Sequence, residues 1–164
     1  MADFLYWVEG LSFSTFVRES GSLLAFPTFL FLHTLGLSIV AGGSAVIDFA
    51  LLGLWPATAP IRPLERLYPF IWVGFWVNAF TGLGLLMADA STKGINPDFW
   101  VKMVCVAAGV TLLIIKRRRV FADPQLDTAV PPRARVLACA SLACWFGAIV
   151  AGRLIAYVGP VAGV

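Results

Sequence analysis

Four long runs of apolar residues occupy most of the chain and decide what it can fold into. They cover residues 23–54, 67–88, 99–115 and 136–158. About 20 consecutive apolar residues make a helix long enough to cross the hydrocarbon core of a bilayer. None of the runs alternates polar and apolar residues as a barrel strand does. The runs therefore predict one domain over residues 1–164, an all-α integral membrane bundle of four transmembrane helices.

Composition supports a chain that faces lipid. The 164 residues are 60% hydrophobic and 13% charged. A soluble domain of this size does not need so many apolar residues, whereas a bundle in lipid is apolar on its outside as well. The net charge of +3 does not indicate nucleic acid, because the cations flank the apolar runs.

Several other classes of protein are disfavoured by missing patterns. The start of the chain, MADFLYWVEG, is acidic and lacks the features of a cleavable signal peptide. The sequence has no phosphate-binding glycine loop and no clustered metal ligands. The three cysteines fall inside apolar runs and are interpreted as packing residues.

The first run is too long for one straight crossing. As a single helix, residues 23–54 would measure about 48 Å, against about 30 Å for the bilayer core. The helix must tilt, protrude or break, and Pro27 is the predicted place of a break. Residues 1–20 are apolar but interrupted by charges, which predicts an amphipathic helix along the membrane interface.

Small residues spaced by four predict where helices meet. Gly74, Asn78 and Gly82 form one such stripe in the second run. Ser38 and Gly42 form a similar pair in the first run. Small side chains let two helix backbones approach closely in lipid.

Basic residues predict the orientation. Eight of them lie in or beside two connections: Arg62, Arg66, Lys116, Arg117, Arg118, Arg119, Arg133 and Arg135. The positive-inside rule places both connections in the cytoplasm and both termini outside, in the periplasm of a Gram-negative host. The predicted location is a bacterial inner membrane. The segment 116–135 is expected to be a polar loop that anchors this topology or docks a partner. Asp48 is expected to pair with Arg62, Arg66 or Arg135, or to lie at the interface.

Four polar residues inside the runs form the candidate site: His33, Asn78, Lys102 and Arg153. The predicted topology places Lys102 and Arg153 toward the outer face, with His33 in the middle or outer half of its run. Charges in lipid are costly and usually mark function. Each residue also has a structural interpretation. Lys102 and Arg153 can extend to the headgroups, Arg153 can pair with Asp89, and His33 and Asn78 can bond between helices.

Haem b is one cofactor considered for this site. His33 would be the axial ligand, Lys102 and Arg153 would neutralise the propionates, and Met87 or Met103 would be a sixth ligand. A single histidine cannot supply two axial imidazoles, so two chains would share the haem or the second ligand would be weaker. A quinone headgroup or a lipid phosphate is a comparable alternative.

Four stretches also carry a resemblance: FPTFLFLHTLGLSIVAGGSAVIDFALLGL, FIWVGFWVNAFTGLGLLMADA, NPDFWVKM and AGRLIAY. From Ser22 to Tyr157 the chain resembles an uncharacterised bacterial family of four-helix inner-membrane proteins. The resemblance implies four transmembrane helices and no particular activity. A looser similarity to copper-resistance and cytochrome b561-like bundles is one of shape.

Two classes of function remain open. The favoured one is a non-enzymatic accessory or structural subunit, which packs against a larger membrane complex or against copies of itself. Small size and the lack of a catalytic constellation favour it. The alternative is a haem b or quinone-type redox protein, or another small-ligand binding protein, that uses the outer cluster. The lipid bilayer is an expected partner and nucleic acid is not.

Overall fold

A computed structural model describes residues 2–56 and 59–158, with the side chains of 4–56 and 59–155. Those residues form helices and no strands. The helices are α1 (Ala2–Glu9), α2 (Ser12–Glu19), α3 (Phe26–Leu51), α4 (Tyr68–Met87), α5 (Ala90–Ile95), α6 (Pro97–Ile115) and α7 (Pro132–Val158). A 3₁₀ segment, Arg62–Leu67, leads into α4, and a π-helical segment, Lys116–Val120, continues α6.

Four of these helices, α3, α4, α6 and α7, are long and apolar enough to cross a membrane. The all-α class and the four apolar helices predicted from the sequence are confirmed to that extent. Length and composition carry this conclusion, since each helix holds more than the 18 or so residues that a crossing requires.

The break predicted at Pro27 is wrong. Helix α3 begins at Phe26, so Pro27 lies in the first turn, where a missing N–H leaves no hydrogen bond unmade. The chain turns just before it, at Gly21, whose φ of 60° favours glycine. Helix α3 then runs unbroken for 26 residues, about 39 Å.

The four long helices pack in an open row. Helix α4 packs on α3, α3 packs on α7, and α7 packs on α6. Helices α4 and α6 have no comparable interface with each other. One side of the bundle is therefore open between α4 and α6.

Glycine allows α3 and α4 to approach closely. A Cβ on Gly36 would lie 2.7 Å from the backbone nitrogen of Asn78 and 2.8 Å from the backbone oxygen of Gly74. The predicted contact stripe in the second run is thus confirmed, and its partner is α3. The contact predicted at Ser38 and Gly42 is wrong, because Ser38 is exposed and a Cβ on Gly42 would meet open space.

The two basic connections meet at one end of the bundle. Asp127 accepts hydrogen bonds from the backbone N–H groups of Ile61 (2.7 Å) and Arg62 (2.9 Å), and the Arg62 side chain donates to the Asp123 carbonyl (2.7 Å). The bond from the Arg62 N–H, with that from Ile61, holds the pKa of Asp127 below its ordinary value of 3.8. This contact is therefore present at neutral pH and is lost as pH falls through the lowered pKa. The connection is a packed segment, and which end faces the cytoplasm stays a prediction.

The partner predicted for Asp48 is also wrong. Its carboxylate pairs with the Lys116 ammonium, and both side chains are 0% exposed. Lys116 also donates to Ser141 on α7 (2.9 Å), and Ser44 donates to Asp48 (3.2 Å). The π-helical continuation of α6 carries Lys116 into the interior, while Arg117, next along the chain, is exposed. Lys116 is thus an interior residue that joins three helices rather than part of a polar loop.

The N-terminal segment is two short helices instead of the single helix expected. Helix α1 packs on α5, where Glu9 accepts a hydrogen bond from the Ser91 N–H (2.7 Å). Helix α2 packs on α4, and Arg18 donates to the Ala88 carbonyl (3.3 Å). Both helices therefore lie at the end of the bundle away from the basic connections. Their exposed aromatic side chains include Trp7, 62% exposed.

Candidate functional site

Three of the four residues predicted for the site come together at the open side of the bundle. The Nδ1 of His33 lies 2.9 Å from the backbone oxygen of Asn78. The Nε2 of His33 lies 3.2 Å from the Nζ of Lys102. The Asn78 side chain in turn donates to the backbone oxygen of His33 (2.7 Å). The cluster thus joins α3, α4 and α6, although α4 and α6 do not pack on each other.

The hydrogen bonds assign the state of His33. A carbonyl oxygen only accepts, so Nδ1 carries the hydrogen that is donated to Asn78. A Lys102 ammonium only donates, so Nε2 must be the accepting nitrogen of a neutral ring. In a protonated His33, Nε2 would also carry a hydrogen, and two donors, this N–H and the ammonium, would then face each other. With Lys102 charged, the geometry therefore requires a neutral imidazole.

Small residues fix the two side chains in place. A Cβ on Gly82 would lie 2.8 Å from the Cε1 of His33, so the ring rests directly on the backbone of α4. The Cδ of Lys102 lies 3.7 Å from the position of a Cβ on Gly152, so the lysine stem lies against α7. Thr81 adds a long contact, 3.4 Å from the Nδ1 of His33. Of these three, only Gly82 belongs to the contact stripe predicted from the sequence.

The cluster lies in the wall of a cleft of about 510 Å³ between α4 and α6. This volume is within the range of about 300–1,000 Å³ that ligand pockets usually have. The lining residues are His33, Phe75, Asn78, Ala79, Gly82, Leu83, Leu86, Phe99, Lys102, Met103, Val106, Ala107 and Val110. Apart from His33, Asn78 and Lys102, all of them are apolar.

Along α6, the polar lining residue lies near one end of the cleft. Phe99 and Val110 on α6 line it eleven positions apart, which is a rise of about 16 Å. Lys102 lies only three positions, about 4.5 Å, from Phe99. Beyond the cluster, the α6 side of the cleft is apolar as far as Val110. A length of about 16 Å is close to half of a bilayer core of about 30 Å.

Arg153, the fourth predicted residue, lies outside this cluster. It follows Gly152, which contacts Lys102, but one position along a helix turns the side chain by about 100°, and Arg153 is exposed. It makes no hydrogen bond or ion pair with any side chain that the structure describes. The alternative pairing with Asp89 is wrong, because Asp89 pairs with Lys93 (3.6 Å).

The residues present do not fit a haem b site. Both nitrogens of His33 are already engaged, Nδ1 with Asn78 and Nε2 with Lys102. An axial ligand needs one ring nitrogen with its lone pair free for iron. Arg153, the second cation assigned to the propionates, does not line the cleft. Among the described residues there is also no group of three His, Cys, Asp or Glu side chains that would hold a metal ion.

No family model, curated protein or solved structure compared with the chain matches it. The geometry of the site is that of a histidine and a lysine in the wall of a mostly apolar cleft, which opens between two long helices.

Proposed function

We propose that this is an integral membrane protein that binds a lipid-soluble molecule in the cleft between α4 and α6. In this proposal the four long helices cross a bacterial inner membrane, with the basic connections in the cytoplasm. The His33 and Lys102 cluster then lies in the outer half of the membrane and holds the polar part of the ligand.

The observation that carries the proposal is the Lys102 ammonium in a cleft whose lining is apolar apart from His33, Asn78 and Lys102 itself. Only one of its three hydrogens has an acceptor among the described residues, the Nε2 of His33. A desolvated ammonium with donors to spare is costly in lipid unless another group accepts from it. A ligand with an acceptor at one end and an apolar body fits both parts of the cleft.

The favoured role predicted from the sequence, an accessory subunit of a larger complex, stays a prediction. The outer faces of α4 and α6 carry exposed apolar side chains such as Val73 and Val104. Lipid and a partner helix both suit such faces, so they do not favour a protein partner. The cleft is the specific feature, and it favours binding of a small molecule.

Replacing Lys102 should remove the bound molecule. Protein extracted from membranes in a mild detergent should carry a stoichiometric additional mass in native mass spectrometry. In Lys102→Met, the fraction of protein that carries this additional mass should fall about tenfold or more, because a hydrogen bond to a charged group contributes about 1.5–3 kcal/mol.

Lys93→Met is the matched control, since Lys93 is a neighbouring lysine that pairs with Asp89 and donates to the Leu85 carbonyl (2.9 Å). It should retain the bound mass. The proposal fails if the wild-type protein carries no additional mass, or if both variants carry as much as the wild type.

A further inference from the structure

We infer that the ligand of this cleft is an acidic amphiphile, in which a carboxylate or phosphate head pairs with Lys102 and one hydrocarbon chain fills the apolar part. This inference rests on the proposed function and adds the chemical class of the ligand. Four observations carry it: the pairing of the other lysines, the neutral state of His33, the lining of the cleft and its length.

The other lysines show what Lys102 lacks. The chain has three lysines. Lys116 pairs with Asp48, and Lys93 pairs with Asp89. Lys102 has no carboxylate within ion-pair distance among the side chains that the structure describes, and its hydrogen-bond partner is His33. Lys102, which lines the cleft, is thus the lysine whose charge is not compensated by a described side chain.

His33 cannot supply that compensation. Its ring is neutral in the observed hydrogen bonds, so it accepts from the ammonium without cancelling the charge. An unpaired charge in a desolvated place is strongly destabilising, and an anion placed beside it removes most of that cost. Two hydrogens of the ammonium remain for an anionic oxygen, so the anion can bind without displacing His33.

The lining indicates an amphiphile rather than a small free anion. Phe75, Ala79, Val106 and Val110 continue the cleft away from Lys102, and none of them can bind a hydrated ion. A hydrocarbon chain, by contrast, gains roughly 0.8 kcal/mol for each CH₂ group that it buries.

The lining also disfavours a quinone headgroup. A quinone ring carries carbonyl oxygens on opposite sides, and each needs a donor when it is buried. Among the described lining residues, the side-chain donors are Lys102, beside His33, and the Asn78 amide, which already donates to the backbone oxygen of His33 (2.7 Å). A head with its acceptors at one end fits this distribution better.

The length fits a chain held within one leaflet. The cleft runs for about 16 Å along α6, and Lys102 is three positions, about 4.5 Å of helix rise, from Phe99 at one end. Half of the bilayer core is about 15 Å. A head at Lys102 therefore places its chain alongside α4 and α6 toward the middle of the membrane.

Delipidated wild-type protein in a neutral detergent tests the inference with four probes at equal concentration. Palmitate and hexadecyl phosphate have the head and the chain, hexadecanol has the chain alone, and acetate has the head alone. Native mass spectrometry measures the bound fraction of each. At least one of the two acids should bind about tenfold more than hexadecanol, and acetate should not bind.

Variants at Lys102 show whether the charge is responsible. Lys102→Arg should retain the preference for the acid over the alcohol, and Lys102→Gln should bind both equally. Only variants that elute as a single species with wild-type helix content enter this comparison. If Lys102→Gln is lost to misfolding, the probe series on the wild type and on Lys102→Arg decides alone.

The outcomes separate this inference from the proposed function. If hexadecanol binds as well as both acids, the acidic head is wrong while a ligand cleft stands. If acetate binds as well as the long-chain acids, the ligand is a free anion and the amphiphile is wrong. If no probe binds but membrane-extracted protein still carries a mass that Lys102→Met loses, the inferred class is wrong and the proposed function stands.

Discussion

Lys116→Met should lower the free energy of unfolding by about 3–5 kcal/mol, because it leaves the Asp48 carboxylate buried without its cation. Both side chains of the pair are 0% exposed, so water cannot take the place of the missing partner. Asp48→Asn should be destabilising for the same reason in reverse, since it leaves the Lys116 charge unpaired. Unfolding of the purified protein by denaturant in detergent measures both effects.

The double variant Asp48→Asn with Lys116→Met should recover much of the loss. It leaves no unpaired charge, and replacing a whole buried pair costs far less than breaking it. The exposed pair of Arg133 with Asp123 is the control, and Arg133→Gln should change stability by less than about 1 kcal/mol. A Lys116→Met variant as stable as Arg133→Gln would mean that the pair is not buried between the helices.

Gly36→Leu should destabilise the protein by about 3 kcal/mol or more and should also disturb the site. Even a Cβ at this position would lie 2.7 Å from the backbone nitrogen of Asn78. Backbone cannot rotate away as a side chain can, so α3 and α4 must separate, and overpacking of this kind costs about 1–3 kcal/mol or more. Separation moves the Asn78 carbonyl away from His33 as well.

Gly42→Leu is the matched control on the same helix. A Cβ on Gly42 would meet open space, so this variant should remain within about 0.5 kcal/mol of the wild type. Thermal unfolding in detergent compares the two, and native mass spectrometry follows the bound molecule. Equal stability of the two variants would contradict the close approach of α3 and α4.

The architecture could be predicted because it depends on length and composition. Four apolar runs of sufficient length specify four helices whatever their order in space. The meeting of His33, Asn78 and Lys102 followed from the predicted topology, which placed them at similar depth. A helix start at Pro27 could also have been predicted, because proline favours the first helical turn, whereas the excess length of the run over a bilayer core predicts a break there.

The order of the helices could not be predicted in the same way. A helix that is apolar all round has no periodic face to indicate its neighbours. The sequence therefore does not indicate that α4 and α6 are separated. The cleft exists only because of that separation, so it could not be predicted. The rotation of each residue about its helix axis could not be predicted either. Gly152 contacts Lys102, whereas Arg153, one position later, points away and is exposed.

The buried pair of Asp48 and Lys116 was not predicted, and the reason lies in the sequence around Lys116. Lys116 precedes three arginines, and a run of four cations at the end of an apolar segment is typical of a topology signal. A π-helical turn at Lys116–Val120 rotates the first of the four into the interior. Such turns are rare and have no strong sequence signature. Asp48 was the available hint, since a carboxylate on an apolar helix requires a cation nearby.

Photocrosslinking in native membranes tests the central claim, that the space between α4 and α6 is a ligand site, most directly. A benzophenone amino acid replaces Val106, which lines the cleft, or Val104 on the same helix, which is 68% exposed on the outside. Adducts at position 106 should have one mass or a narrow set of masses, and they should decrease in a Lys102→Met background. Adducts at position 104 should have the varied masses of bulk membrane lipid. The same varied mixture at both positions, unchanged by Lys102→Met, would contradict a specific ligand in the cleft.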